Sequence, residues 1–344
     1  MSQQHEITAA APLLDRTGSL REPGWARTLL PRYRRRDIQV PPTRIKEWDY
    51  YLITDGHLGL ALTIADNGYM GLDSISFLDF DARQEQTTSR MRLFPLGRTN
   101  LPESSAEGAS EIARGSYAMA FYHEDGGRCL TFHMDRFRGK ESIEGYIRLT
   151  DAPAESMVIA TPFDKRAHFY FNQKINCMRA EGWVELGGTR HELTGDRFFA
   201  VLDWGRGVWT YRNTWYWGSA SGELDGVPFG WNIGYGFGNT QAATENALIY
   251  DGRVHKLSEV RFEIPQADGR DDFLSPWRFT SDDNRFYMDF TPVLDRSSLT
   301  DLLVLKSDQH QVFGRFTGRV TLDDGTVLPV RDFFGFAEKV ENRW

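Results

Sequence analysis

The chain has 344 residues, 40% hydrophobic and 26% charged, which is enough for two cores of ordinary size. Its formal net charge of -8 argues against nucleic-acid binding, which depends on neutralising phosphates. No apolar run approaches the roughly 20 residues of a membrane-spanning helix, and Cys129 and Cys177, the 2 cysteines, fit no metal or redox spacing.

Aromatic residues make up 13% of the chain, glycines number 32, and long runs of helix formers are few. That mixture predicts a β-rich protein. Met1–Ala11 reads as a disordered tail without the basic start and apolar core of a secretory signal, so a cytoplasmic protein is expected. Pro12–Pro42 reads as an irregular arm with a basic run at Arg32, Arg34, Arg35 and Arg36. A solvated surface explains such a run, and so does an anionic headgroup. Peripheral membrane contact therefore stays open.

From Lys46 onward, short strand-like runs alternate with turn signals. His57–Ile64 and Gly71–Phe80 flank Asn67-Gly68, and Ser116–His123 and Arg128–Phe137 flank Asp125-Gly126-Gly127. Glu144–Leu149, Met157–Ala160, His168–Cys177, Glu181–Leu186 and His191–Leu193 follow. In His168–Cys177 the alternation places Phe169, Phe171, Ile175 and Cys177 inward, with His168, Tyr170, Asn172 and Lys174 on the other face. Later pairs flank Asp251-Gly252, Asp282-Asp283-Asn284 and Asp323-Asp324-Gly325. Gly97–Gly115 and Gln266–Pro276 read as loops, either plain surface or lids. Many short strands joined by tight turns predict a sandwich or barrels, and the number of runs suits two barrel-sized units.

The stretch Phe198–Phe237 holds five of the 10 tryptophans. An extended backbone from Trp209 puts Trp209, Tyr211, Asn213, Trp215 and Trp217 on one face. Farther on, Phe229, Trp231, Ile233, Tyr235 and Phe237 oppose Gly230, Asn232, Gly234 and Gly236, and a glycine face marks the close approach of something bulky. This pattern fits the wall of an apolar pocket, and equally a packed aromatic core. Asp203 ends the apolar run FFAVL, where burial would favour its protonated form, and Arg206 would oppose that if the two side chains meet. Glu245 and Asn246 could bond a ligand oxygen or tie a turn. The Gly234-x-Gly236-x-Gly238 run opens no helix, so it is no nucleotide loop. His133 and Asp135 lack a further ligand at metal spacing, so neither metal nor cofactor is expected.

KEWDYY at 46–51, LDWGRGVWTYRNTWYWGSASG at 202–222, TENAL at 244–248, DDG at 323–325 and GFAEKVENRW at 335–344 resemble the bacterial family called domain of unknown function 2804. More distantly, the Asp-Trp-Gly element and the Trp-rich strand after it are similar to the junction in the carotenoid 1,2-hydratase group. There, an Asp-His-x-Trp-Gly motif closes the first of two lipocalin-like barrels. Tocopherol cyclases and fungal Diels–Alderases are similar in architecture. The resemblance implies an all-β, calycin-like fold of two consecutive antiparallel barrels, with an irregular arm at 1–45, a first barrel at 46–206 and a second at 207–344. It also implies a site in a barrel mouth near the junction, with Asp203 in place of the motif's Asp. Trp204 stands where the motif has His. The expected function is binding of a lipid or isoprenoid, with acid-promoted hydration, cyclisation or isomerisation as the chemistry. The alternatives are a non-catalytic carrier and an interaction protein. The candidate catalytic residues are Asp203, Arg206 and Glu245. The candidate ligand contacts are Trp204, Trp209, Tyr211, Trp215, Trp217, Asn232 and Asn246.

Overall fold

A computed structural model describes residues 4–302 and 305–343 of the chain. Turn chemistry sets its local order. Asp125-Gly126 and Asp251-Gly252 both have positive φ at two successive residues, the geometry that lets a two-residue turn follow the twist of its hairpin. Regular helix among the described residues is limited to two 3-10 turns, Arg35–Asp37 and Pro42–Arg44.

The strands form two curled antiparallel sheets, two consecutive lipocalin-like barrels. The main path of the first runs through Gln84–Leu93, Met70–Asp79, Leu58–Asp66, Ile45–Thr54, Phe199–Val208, Phe169–Leu186, Glu141–Thr150, Gly127–Arg138, Tyr117–Glu124 and Ser110–Arg114. Thr88 Oγ1 donates to the Phe137 carbonyl at 2.7 Å, bringing the polar edge strand Gln84–Leu93 against Gly127–Arg138. The second sheet runs through Arg253–Lys256, Ala247–Tyr250, Val227–Tyr235, Arg212–Leu224, Val327–Arg343, Leu305–Thr321, Phe286–Leu302, Trp277–Ser281 and Val260–Glu263. The chain changes sheet between Val208 and Arg212.

Each barrel is filled by its own side chains. Leu62, Ile64, Phe132, Phe169, Phe171, Leu202 and Trp204 belong to the first core, and Phe229, Trp231, Phe279, Phe290 and Phe316 to the second. The outer faces of the two sheets pack on each other through Leu52, Val201, Trp217, Phe313 and Phe336. As a result, every residue of Phe199–Val208 is buried, one face in the first barrel and the other against the second.

Three expectations are corrected. His168–Cys177 and Glu181–Leu186 are parts of one strand, Phe169–Leu186, whose register shifts between Ile175 and Met178. Cys177 has φ +61 at that shift, so Met178 turns into the first core and Cys177 turns outward. Gly97–Gly115 contains the strand Ser110–Arg114. The tail expected at Met1–Ala11 is anchored from Gln4 onward, with residues 1–3 lying outside the described residues. Gln4 Nε2 donates to the Leu257 carbonyl of the second barrel at 2.8 Å, and Gly24–Ala26 pairs with Met157–Pro162 of the first.

Candidate functional site

Between the barrels lies a cavity of about 170 Å³, large enough for a ring the size of benzene. The first sheet supplies Trp48, Thr63, Ala65, Tyr170, Lys174 and Asp203, and the second supplies Trp215, Trp217 and Glu338. Connecting segments add Asn67, Trp209, Phe237 and Glu245. This cavity lies between the barrels, whereas the sequence reading placed the site in a barrel mouth near the junction.

Strand register assembles its walls. Lys174, Asp203, Tyr50 and Thr63 lie abreast on four adjacent strands. One row away, Asn172, Gly205, Trp48 and Ala65 do the same. Gly205 is required there, because a Cβ on it would fall 1.9 Å from the Trp48 ring. The Trp48 indole is thus free to lie across its neighbour strand, 5.1 Å from Trp209 and nearly parallel to Tyr170. Trp209, Trp215 and Phe237 meet edge to face at 4.9–5.7 Å.

Three carboxyls and one amine, from Asp203, Glu245, Glu338 and Lys174, project into this aromatic enclosure. Lys174 Nζ lies 2.8 Å from Asp203 Oδ1 and 3.9 Å from the centre of the Trp217 ring, joining an ion pair to a cation–π contact. Asn172 Nδ2 also donates to Asp203 Oδ1, at 2.5 Å. Glu338 accepts from Trp215 Nε1 at 2.7 Å and from Gln311 Nε2 at 3.0 Å. Burial pushes the Glu338 carboxyl up to about 7, against the pull of the Trp215 hydrogen bond, Arg296 and Lys174. Burial also raises Glu245, with Lys174 opposing and the Asp203 charge reinforcing. Lys256, behind Glu245, is lowered by burial to about 7 and donates to Thr244 Oγ1 and the Asn246 carbonyl. Among the described residues no cluster of three or more His, Cys, Asp or Glu side chains could hold a metal.

Trp209, Trp215, Trp217, Asp203 and Glu245 are brought together as cavity lining. Asn232 stands behind it, accepting from Trp217 Nε1 at 2.7 Å and donating to the Glu245 carbonyl at 2.8 Å. Asn246 ties a turn instead, accepting from Gly234 N and donating to the Ser258 carbonyl. Trp204 and Arg206 lie elsewhere. They occupy positions opposite to Asp203 in the strand alternation, so both point into the first barrel. Arg206 Nη1 donates to Asp49 Oδ1 at 2.9 Å and its guanidinium covers the Trp204 ring at 4.2 Å, so the ion pair considered between Asp203 and Arg206 does not form. Tyr211 is 45% exposed in the segment joining the sheets, outside the cavity lining. The glycine face of Val227–Tyr235 turns toward the first barrel. There, Gly230 meets Cys177 Sγ and Gly234 meets the Glu245 carboxylate.

Sequence reasoning did not single out Glu338, and it placed Tyr170 and Lys174 only as residues facing away from a core. The usable signal was the alternation in both strands. A lysine on the outer face of Phe169–Leu186, and a glutamate between Phe336 and Val340, each place a charged side chain within a row that is itself buried.

A search of the curated proteins gave no significant match. Among solved structures, the fold is similar to a protein assigned as AttH from Nitrosomonas europaea, with a TM-score of 0.55 and 12% identity over 86% of this chain and 92% of that one. Kievitone hydratase from Nectria haematococca aligns with a TM-score of 0.48 and 9% identity over 87% and 88% of the two chains. The model of one family matches residues 4–344, and the chain belongs to that family, described as domain of unknown function (DUF2804).

Proposed function

We propose that the protein binds one apolar end of a lipid or isoprenoid in the cavity between its barrels, and acts on it by proton transfer. One observation carries this reading: Glu338, its carboxyl held near 7, faces a cavity walled by Trp48, Trp209, Trp215 and Trp217. A neutral carboxylic acid in a dry pocket can give its proton to a carbon–carbon double bond. The cation formed gains stabilisation from indole faces, about 0.5–2 kcal/mol per face. Water, or a hydroxyl of the substrate, then captures it, and the proton it sheds returns to the Glu338 carboxylate left by the first step, directly or by way of Glu245. Loss of a neighbouring proton instead gives isomerisation. Asp203, already paired with Lys174, holds that ammonium in place.

A second reading is a carrier without chemistry. It is favoured by the hydrogen bonds that both Glu338 oxygens already accept. Native mass spectrometry with organic extraction tests binding: an apolar adduct should accompany the wild-type chain and be lost in Trp215→Ala and Trp217→Ala. If the protein carries no adduct and takes up no retinoid, carotenoid, quinone or fatty acid, the binding proposal is wrong. With a ligand in hand, Glu338→Gln separates the two readings. A proton donor predicts retained binding and a turnover lower by about 100-fold or more, whereas a carrier predicts no turnover in either protein.

A further inference from the structure

Three large hydrophobic side chains within four residues stand in solvent: Met91 is 71% exposed, Leu93 79% and Phe94 55%. They end the edge strand Gln84–Leu93 of the first sheet. Register ties them to the cavity. On the outer face, Trp48, Ala65, Leu72 and Met91 sit side by side on four successive strands, and Met70 lies opposite Leu93. Trp48 and Ala65 line the cavity. With strands about 4.8 Å apart, Met91 is about 10 Å from Ala65. Apolar surface therefore continues from the cavity wall to the sheet edge. The second barrel engages the far end of these strands, where Leu78 packs in the interbarrel cluster and Arg296 Nη1 reaches Ser76 Oγ at 2.8 Å.

Basic groups gather at the same end. Phe94 N donates to the Tyr69 carbonyl, and the exposed Arg98 bonds the Phe94 carbonyl. Gly97 abuts the Arg35 side chain, and its neighbours Arg34 and Arg36 are exposed. Arg44, whose charge acts on Tyr69, donates to the Trp209 carbonyl three residues before the exposed Arg212. Glu47, Asp66 and Asp73 are buried beneath them, Glu47 paired with Arg35 and Asp73 with Arg92, which leaves Asp37 and Glu103 as the acidic residues nearer the surface, Glu103 engaged by the Arg35 backbone N–H. Concentrated positive charge beside bare apolar side chains is unexpected on a chain with net charge -8. The combination matches an anionic bilayer surface, where arginines meet lipid phosphates and short apolar side chains enter the headgroup layer.

We propose that this edge, with Met91, Leu93 and Phe94 as the inserted residues and Arg34, Arg36 and Arg98 as the phosphate contacts, docks the protein on an anionic lipid surface. Docking there holds the cavity wall against lipid. That consequence rests on reading the cavity as an apolar-ligand site, whereas vesicle binding is measured without ligand, so each can fail alone.

The test is cosedimentation of the full chain with vesicles of phosphatidylcholine alone, and with about 30% phosphatidylglycerol, at about 0.1 M salt. The expected result is partition at least about tenfold stronger on anionic vesicles, weakening as salt rises. Leu93→Glu/Phe94→Glu should lower it at least about tenfold, and Arg34→Gln/Arg36→Gln/Arg98→Gln should reduce both partition and salt dependence. Leu274→Glu, an exposed change on a loop of the second barrel, should leave it unaltered. Equal binding to both vesicle types, or unchanged binding by the Leu93/Phe94 variant, overturns the proposal. So does a dimer in size-exclusion chromatography that the same variant disperses while vesicle binding is absent, since the edge would then pair with a second copy.

Discussion

Replacing Glu338 with Gln should stabilise the protein in a way that depends on pH. The Glu338 side chain is 9% exposed, and burial carries its carboxyl from an ordinary 4.5 to about 7. In the unfolded chain the group ionises near its ordinary value. Below about pH 4.5 both states hold the proton and Glu338 contributes no pH-dependent penalty. Between about 4.5 and 7 the unfolded state loses its proton first, so wild-type stability falls as pH rises, and above about 7 the loss is complete. A displacement of that size corresponds to about 3 kcal/mol. Gln keeps the shape and cannot ionise. Its Oε1 still accepts from Trp215 Nε1, but its Nε2 would face Gln311 Nε2. Rotating the Gln311 amide resolves that clash, because its other partner, the Tyr50 hydroxyl, can donate or accept. Urea unfolding of both proteins at pH 5, 6, 7 and 8 gives the difference directly. Near pH 5 Glu338→Gln should differ from wild type by less than about 1 kcal/mol, and at pH 8 it should be more stable by about 2–3 kcal/mol. A difference that stays flat from pH 5 to 8 would refute the raised carboxyl and remove the observation on which proton transfer rests.

Two further perturbations probe the site's supports. Lys174→Met strands the Asp203 carboxylate with Asn172 alone, and should cost about 3–5 kcal/mol in urea unfolding. Adding Asp203→Leu should recover most of that loss, and a single variant within about 1 kcal/mol of wild type would show that the pair carries little weight. Gly205→Ala forces the Trp48 ring aside and should cost about 1–3 kcal/mol or more, with shifted tryptophan fluorescence. Trp48→Leu in the same chain should relieve the strain, and an unperturbed Gly205→Ala protein would contradict the close approach.

Much of the fold was legible because local chemistry alone sets it. Asp-Gly and Asn-Gly turns mark hairpins wherever a chain must reverse with left-handed residues, and the alternation of Phe229, Trp231, Ile233 and Tyr235 marks one buried face. Gln84–Leu93 was missed because an edge strand exposed along its length carries no apolar rhythm. The strands Phe286–Leu302 and Val327–Arg343 run well past the turn-flanking runs legible beside Asp282-Asp283-Asn284 and Asp323-Asp324-Gly325, because register shifts near Val293 and Asp332 break the alternation.

The site was harder to read, and Asp203 shows why. Alternation says that Asp203 and Trp204 point opposite ways, but in a strand buried on both faces it cannot say which face is the barrel interior. A sequence alone therefore determined the turns, the period of the strands, and the concentration of indoles near the junction. Only the tertiary structure decided that the outer faces of two barrels close on each other. That packing sends Arg206 to Asp49, pairs Lys174 with Asp203, and brings Glu338 from the far end of the chain into the same cavity. Contacts between residues 174, 203 and 338 depend on sheet order and on docking of one barrel against the other, and no local pattern encodes either.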